Sequence, residues 1–283
     1  MFSIIIPTFN NVKYLKICIE SIKKNSTFNH EIIVHVNLGE DGTKEFLDKE
    51  NIKYTFTNYN AGICEGMNKA TKKASFDFIL YSHDDFYFCP KWDEILNEEI
   101  KKIGHNRFYL SGIMMNNGPL KFNAGSDFET FDEKKLLENY NKISFYDFQG
   151  TTWAPSLVPI KTWNKVGGFS EEYTYGLGSD PDFNMKLWNI GVRLFKGIGK
   201  SRVYHFSSVS LRSKVWNDGH KTFLLKWGIS IKFFRKHYLR SDTIFKDQLS
   251  DPVKNINYYI DLFKCKFKLF FLRFLNLITS SKS

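Results

Sequence analysis

Apolar runs alternate with amphipathic stretches through the first third of the 283-residue chain. Residues 3–7 and 31–36 are β-branched runs typical of strands buried on both faces, and residues 53–57 predict a third, shorter strand. Between these runs, residues 12–22 and 62–74 place their apolar side chains at helical spacing. The alternation predicts parallel βαβ units with right-handed crossovers, as in a Rossmann-like half.

The run at residues 76–81 predicts another buried strand, which stops abruptly at His83, Asp84 and Asp85. In an open α/β sheet, ligands bind outside the carboxyl ends of the strands. Two adjacent carboxylates at that edge therefore indicate ligands for a metal ion or a sugar. The alternative is an exposed turn whose carboxylates are only solvated.

The second half of the chain has a less regular pattern. Strands are predicted at residues 108–115, 153–160, 193–195 and 202–206, and helices at residues 133–140 and 183–190. The sequence there contains no internal repeat and no linker rich in proline, glycine or serine. Residues 1–209 are therefore expected to form one domain.

Residues 210–283 are expected to form a basic, helical extension, with helices at residues 222–239 and 256–278. The second of these helices mixes phenylalanines with lysines and is too short and too charged to span a bilayer. It lies either in the interface of an anionic membrane leaflet or on the domain with a solvated basic face. The pattern leaves both arrangements open.

The composition indicates the cellular compartment of the protein and limits the classes of partner that it is expected to bind. A hydrophobic content of 42% predicts a folded core, and four scattered cysteines predict reduced, mostly buried thiols in a cytosolic protein. The first residues lack a basic leader and a cleavage site, so we expect a strand there and not a signal peptide. A net charge of +10 calls for an anionic membrane, a phosphorylated substrate or an acidic glycan. No RNA- or DNA-binding motif accompanies the charge, so we expect no nucleic-acid partner.

The chain resembles the family 2 glycosyltransferases in five motifs that occur in that family's order and at its rough spacing. They are SIIIPTFNN, EIIVHVNLGEDGT, the strand that ends in SHDD, VGGF and GLGSDPDFNMKLW. The similarity extends over about the first three quarters of the chain, and the ordered set is more specific than any single motif. It implies an α/β fold of the GT-A type, with a Rossmann-like, mostly parallel central sheet flanked by helices, followed by the helical carboxy-terminal extension.

For the metal and the donor sugar, the resemblance implies roles for residues at two strand ends. Asp85 would bind a divalent cation, Mn²⁺ or Mg²⁺, that holds the donor's diphosphate, and Asp84 would reach the ribose or sugar hydroxyls. His205 matches a position where many relatives place a metal-binding histidine, although a histidine in an aromatic run is also typical of a core. His83 stands where many relatives carry an acid, and its role as a third ligand, as a donor to phosphate or as neither is left open.

For the nucleotide, the resemblance implies contacts from Thr8 and Phe9 after the first strand, with the aromatic ring against the base. Asn37 aligns with an acid that in relatives accepts a hydrogen bond from uracil. Its amide oxygen still accepts, but its NH₂ group also donates to other bases. A UDP-sugar donor is therefore favoured over other nucleotide sugars without excluding them.

For the reaction, the resemblance places the catalytic base at Asp180, just before a predicted helix. An inverting transfer needs a base that takes the proton of the acceptor hydroxyl. Ser179 replaces the first acid of the family's motif, and either residue is also suited to capping the helix. Trp153 stacks on an acceptor sugar or belongs to the core, and Asp182 contacts the acceptor or stabilises the first helical turn.

The leading hypothesis is an inverting, metal-dependent glycosyltransferase that moves a sugar from a nucleotide-diphosphate donor to a glycan or lipid-linked acceptor. Its product would be a cell-surface polysaccharide or glycoconjugate, and its location cytoplasmic, on the inner face of the membrane. A nucleotidyltransferase would need a glycine-rich phosphate loop after the first strand, which PTFNN lacks. A non-catalytic sugar-nucleotide-binding relative would be expected to lose Asp84, Asp85 or Asp180, and all three are present.

Overall fold

The computed structural model describes the backbone of residues 1–206 and 218–280 and the side chains of residues 1–206 and 218–274. The first part of the chain alternates strands with helices. In order, these are β1 (Ser3–Phe9), α1 (Val12–Asn25), β2 (Glu31–Asn37), α2 (Thr43–Lys49), β3 (Lys53–Thr57), α3 (Gly62–Thr71) and β4 (Phe78–Tyr81). The predicted alternation is confirmed, and α2 is an additional short helix between β2 and β3.

The middle of the chain completes the sheet and its helical cover. Its elements are β5 (Phe86–Phe88), α4 (Trp92–Ile103), β6 (Phe108–Asn116), α5 (Glu133–Asn139), β7 (Phe148–Gln149), β8 (Ser156–Pro159), α6 (Ile160–Val166), α7 (Ser179–Asn189) and β9 (Leu194–His205). The described residues after 217 form α8 (Gly219–Trp227), α9 (Ile231–Phe233) with a π-helical continuation (Phe234–Leu239), and α10 (Ile256–Ser280).

The strands form one mixed sheet in the order β3, β2, β1, β4, β8, β6, β9, β5, with β7 paired to β9. Strands β1 to β4 are mutually parallel, with Ser3 opposite both Glu31 and Ile79. Strand β8 is antiparallel to β4 and to β6, and β9 is parallel to β6. The strand direction reverses from β4 to β8 and again from β8 to β6. All of the parallel strands therefore end at the same edge of the sheet, among them β1, β2, β4, β6 and β9. The predicted mostly parallel α/β sheet is confirmed.

The predicted amphipathic pattern of α1 is confirmed by its packing. Leu15, Cys18, Ile19 and Ile22 are all buried on one face of this helix. All four cysteines of the chain are buried and unpaired, as predicted. Burial of these apolar side chains supplies the hydrophobic stabilisation that holds the helices on the sheet.

Three predicted boundaries are wrong, each for a local reason. The two late strands are one long strand, β9, because pairing with β6 continues across the irregularity near Gly112. Helix α7 begins at Ser179 and not at residue 183, because Gly178 has a φ of 89° and Pro181 is tolerated in a first helical turn. Strand β8 begins only at Ser156, so Trp153 precedes it.

The helices of the carboxy-terminal extension are also interrupted where a continuous helix was predicted. The helix expected at residues 222–239 is interrupted after α8, because Gly228 adopts a left-handed conformation with a φ of 70°. The predicted division between residues 209 and 210 lies outside the described residues and stays a prediction. Within residues 1–206 and 218–280, no helix has both the length and the apolar character needed to cross a membrane.

Helix α10 combines features of both predicted arrangements. One face packs on the extension, where Cys265 and Leu269 are buried and Phe233 stacks edge-on against Tyr258 at 5.1 Å. The opposite face is exposed and aromatic, with Phe263 70% exposed, and exposed lysines such as Lys264 and Lys268 flank it. The helix therefore docks on the protein and still presents apolar rings to its surroundings.

Candidate active site

The shared edge of the sheet brings the ends of β1, β2 and β4 into contact. The hydroxyl of Thr8 donates a 2.6 Å hydrogen bond to Oδ2 of Asp84. Asn37 donates from Nδ2 to the Thr8 carbonyl at 3.0 Å, and its Oδ1 accepts from the backbone N–H of Ala61 at 2.8 Å. The structure therefore brings the predicted donor-side residues Thr8, Asn37 and Asp84 together. A base contact by Asn37 stays a prediction, and it would use the second lone pair or the second amide hydrogen.

Asp84 and Asp85 are both buried but differ in their electrostatics. Burial, and then the adjacent charge of Asp85, raise the pKa of Asp84. Burial also opposes ionisation of Asp85, but the imidazoles of His205 and His83 outweigh it and hold the pKa of Asp85 below its usual range. Asp85 is therefore the anionic member of the pair.

Backbone pairing places His205 beside Asp85. Strand β5 pairs antiparallel with β9 so that Phe86 lies opposite His205, and the N–H of Phe206 donates to the Asp85 carbonyl at 3.2 Å. His205 Nε2 lies 3.3 Å from Oδ2 of Asp85. Its Nδ1 lies 3.2 Å from the Asn117 carbonyl, which only accepts, so the ring hydrogen is on Nδ1. Burial lowers the pKa of His205, but the hydrogen bond to Asp85 and the charge of Asp85 outweigh it and raise this pKa above its usual value. Nε2 of His205 therefore holds either a proton or a cation beside the carboxylate.

His83 completes a group of three metal-ligand types. Its ring stacks on Phe86 with centroids 4.7 Å apart, and its Nδ1 lies 3.9 Å from Oδ1 of Asp85. Desolvation lowers the pKa of His83 to about 4 against the opposing charge of Asp85, which keeps the ring neutral. One ligand atom from each of His83, Asp85 and His205 lies within 4.8 Å of the other two.

In the described part of the chain, the carboxylate oxygens of Asp85 lack well-placed hydrogen-bond donors, and this fits a site for a divalent cation. Both Asp85 oxygens are buried, and within the described residues neither accepts a hydrogen bond of good geometry. Two neutral imidazoles and a carboxylate are a donor set for first-row metal ions. His83 was left undecided by sequence, because its role depends on Asp85 and His205 converging in space. Its position directly before the two acids was the available signal.

Asp180 lies in the first turn of α7. Its Oδ1 is buried without a hydrogen-bond partner in the described residues, and burial raises the pKa of Asp180 to about 7. Its charge also contributes, after burial, to the raised pKa of Tyr81 and of Tyr109. Tyr81 is the last residue of β4, so Asp180 acts at the same edge of the sheet as Asp84, whose charge also raises the pKa of Tyr81. The alternative of a capping role is not seen, because the helix has no side-chain cap.

The two predicted acceptor-side residues differ in their surroundings. Asp182 is fully buried, accepts from Ser170 Oγ at 2.6 Å and Trp227 Nε1 at 2.8 Å, and pairs with Lys226 at 2.9 Å. These contacts favour a structural role, and an acceptor contact by Asp182 stays a prediction. Trp153 stacks on Phe148 with centroids 5.1 Å apart, while its Nε1 has no partner in the described residues.

The matches of this chain to known proteins all point to one family. Residues 3–154, more than half of the chain, match the family model described as glycosyl transferase family 2. Chondroitin synthase of Escherichia coli is 25% identical over 244 residues, which cover 72% of this chain and 34% of that protein. Chondroitin synthase of Pasteurella multocida (strain Pm70) is 26% identical over 262 residues, which cover 79% and 26% of the two chains. The chain therefore spans about a third or less of the length of these relatives.

Solved structures show the same fold. The crystal structure of S. aureus TarS 1–349 is similar with a TM-score of 0.54 at 20% identity, covering 72% of this chain and 60% of that one. Structures of TarS 1–349 with UDP and with UDP-GlcNAc give TM-scores of 0.54 and 0.53 at 19% identity, covering 72% and 74% of this chain and 59% and 61% of the TarS chain. At this identity the likeness supports the fold alone, and it agrees with the predicted GT-A class. The family match over residues 3–154, more than half of the chain, shows that the protein belongs to family 2 of the glycosyltransferases.

Proposed function

We propose that the protein is an inverting, metal-dependent glycosyltransferase that transfers one sugar from a nucleotide-diphosphate donor to a glycan or lipid-linked acceptor. The observation that carries the proposal is Asp180, whose pKa of about 7 suits a base at neutral pH, at the same sheet edge as the buried Asp84 and Asp85. A nucleotidyltransferase or a non-catalytic binding relative would not need a carboxylate poised in this way.

The proposed metal site consists of His83, Asp85 and His205. A divalent cation bound there would neutralise charge that develops on the diphosphate leaving group. Oxygen ligands suit both Mn²⁺ and Mg²⁺, but two imidazoles favour Mn²⁺. The two orphaned Asp85 oxygens support this assignment.

The proposed donor site consists of Thr8, Phe9, Asn37 and Asp84. Asp84, held by the Thr8 hydroxyl, would accept hydrogen bonds from the ribose or the sugar. Phe9, at the end of β1, would lie against the base. TarS has been crystallised with UDP and UDP-GlcNAc, which favours a UDP-sugar donor here.

In the proposed reaction, Asp180 accepts the proton of the acceptor hydroxyl. The hydroxyl oxygen forms a bond to the anomeric carbon while the bond from that carbon to the diphosphate oxygen breaks, and the leaving diphosphate keeps the electron pair. Attack opposite the leaving group inverts the anomeric centre. Trp153, with its unpartnered Nε1, would contact the acceptor sugar.

The test is the Asp180→Asn variant, with Asp77→Asn on the surface as a control. Transfer should fall by roughly 10³-fold or more in Asp180→Asn, since a positioned base contributes about 10²–10⁴-fold. Donor affinity, measured by calorimetry with UDP-sugar and Mn²⁺, should change little. The fold should persist, because the substitution removes a carboxylate that burial disfavours. Unchanged turnover in a folded Asp180→Asn variant would refute the assignment.

We also propose that the protein works in the cytoplasm, attached peripherally to the inner face of the membrane. The net charge of +10 and the exposed rings of α10 support association with an anionic leaflet. Sedimentation with vesicles of increasing phosphatidylglycerol content tests this, and absence of binding at low salt would refute it.

A further inference from the structure

A cleft of about 610 Å³ opens between α8, α9 and α10, and the residues that line it do not include the proposed site residues. Its basic lining consists of Lys232, Lys236, Lys264 and Lys268. Leu224 and Phe233 also line the cleft, but both side chains are buried. The cleft therefore presents cationic groups above a packed apolar floor.

The positive charge of the cleft is only partly neutralised. Asp261 is the acidic residue in its lining, and it contacts Lys236 at 2.7 Å and Lys264 at 3.6 Å. Within the described residues, Lys232 and Lys268 form no ion pair. Four ammonium groups against one carboxylate suit a compact anion with several acceptor oxygens, and phosphate is such a group.

The exposed face of α10 borders this cleft. Its rings belong to Phe263, Phe267, Phe270 and Phe274, which are 51–70% exposed and share one face by their helical spacing. Lys264 and Lys268 occupy the neighbouring row of the same helix, three residues before Phe267 and Phe271. The aromatic stripe and the cleft lysines are therefore adjacent.

We infer that the cleft binds the phosphomonoester or diphosphate head group of a membrane lipid while the aromatic stripe enters the bilayer interface. The inference rests on the membrane association proposed above and names the lipid chemistry. A head group bearing more than one negative charge matches four lysines that line one cleft better than a phosphodiester does.

The cleft also borders the loop that leads to Asp180. His220 lines the cleft, and the preceding Gly219 packs so closely on that loop that a Cβ atom there would lie 1.8 Å from the Leu177 carbonyl oxygen. A Cβ atom on Gly178 would in turn lie 3.0 Å from the Gly219 carbonyl oxygen. A lipid in the cleft is thus held beside the element that carries the proposed base.

The test measures binding of the full chain to three kinds of vesicle by sedimentation. The vesicles contain phosphatidylcholine alone, with phosphatidic acid, or with phosphatidylglycerol at equal total charge. The cleft variant combines Lys232→Gln with Lys268→Gln. The control combines Lys266→Gln with Arg273→Gln, which removes the same charge from the other flank of the stripe.

The cleft variant should lose at least about tenfold more affinity for phosphatidic acid vesicles than the control, as expected for losing two charge-assisted hydrogen bonds. Equal losses of affinity in both variants would overturn the inference. They would show that the net positive charge of the extension, and not the cleft, attracts the vesicles. Failure of soluble pyrophosphate to compete with phosphatidic acid vesicles for binding to the wild-type chain would also overturn it. Absence of vesicle binding by the wild type would refute the membrane proposal itself, whereas turnover of donor in the same samples reports on the catalytic proposal.

Discussion

The Nε2 atom of His205 lies 3.3 Å from Oδ2 of Asp85, and the sheet itself sets this distance. Phe86 pairs with His205 across β5 and β9, and the Asn117 carbonyl holds the other ring nitrogen of His205. A hydrogen-bond acceptor on the ring nitrogen that does not bind the metal orients a ligating imidazole. The contact is therefore preorganised for a proton or a cation between the two side chains.

Asp85→Asn should abolish metal binding and reduce transfer by about 10²-fold or more, since it removes the only charged group of the proposed ligand set. Titration of Mn²⁺ followed by electron paramagnetic resonance measures binding directly. Glu129→Gln, an exposed acid in the loop before α5, serves as the control. Wild-type Mn²⁺ affinity in a folded Asp85→Asn variant would contradict the proposed site.

His83→Asp should shift the metal preference from Mn²⁺ towards Mg²⁺. The substitution replaces an imidazole with the hard oxygen ligand that Mg²⁺ prefers. The measurement is the ratio of transfer rates at saturating Mn²⁺ and Mg²⁺, together with the two dissociation constants. His105→Asp, on an exposed loop, is the matched control, and an unchanged ratio in His83→Asp would exclude His83 as a ligand.

Thr8→Val should weaken donor binding and destabilise the fold, because it removes the 2.6 Å hydrogen bond to Asp84. Leaving a buried acceptor without its donor costs about 1–3 kcal/mol, so urea unfolding should show a loss of that order. Thr8→Ser keeps the hydroxyl and should retain most of the stability and the donor affinity. Equal behaviour of the two variants would show that the hydroxyl is not what holds Asp84.

The rate of transfer should rise with pH and level off above about 7. Burial raises the pKa of Asp180 to about 7, so below that pH the base is protonated and cannot accept a proton. Cys64, Tyr81 and Tyr109 also face Asp180, and burial keeps them neutral across this range because it raises the pKa of each. The measurement is single-turnover transfer from pH 5.5 to 8.5. A flat profile over this range would contradict the role of Asp180.

Asp182→Ala should destabilise the protein by about 3 kcal/mol, because it leaves a buried indole N–H and a partly buried ammonium group without their acceptor. Asp251→Ala, which breaks the exposed pair with Arg193, should cost much less. Urea unfolding compares the two. A stable Asp182→Ala variant with a raised Michaelis constant for the acceptor would instead support the acceptor contact.

Much of the fold was predictable because its signals are local. The buried runs of β1, β2 and β3 and the helical spacing of α1 are properties of short segments, and each segment was predicted at its observed place. The errors occur where pairing or backbone conformation overrides the pattern. Strand β9 continues through glycines because β6 pairs with it, and α8 ends at Gly228 because that residue is left-handed.

For the site, the sequence by itself determined which residues are candidates for the chemistry, since carboxylates at predicted strand ends and their order along the chain can be read from the sequence. Only the tertiary structure decided how they are used. It joined His83, Asp85 and His205 through strand pairing, gave both polar groups of Asn37 to the backbone, and buried Asp182 against Trp227. Burial and neighbouring charges also set the different ionisation of Asp84, Asp85 and Asp180. These quantities depend on distances between segments remote in sequence, which no local pattern encodes.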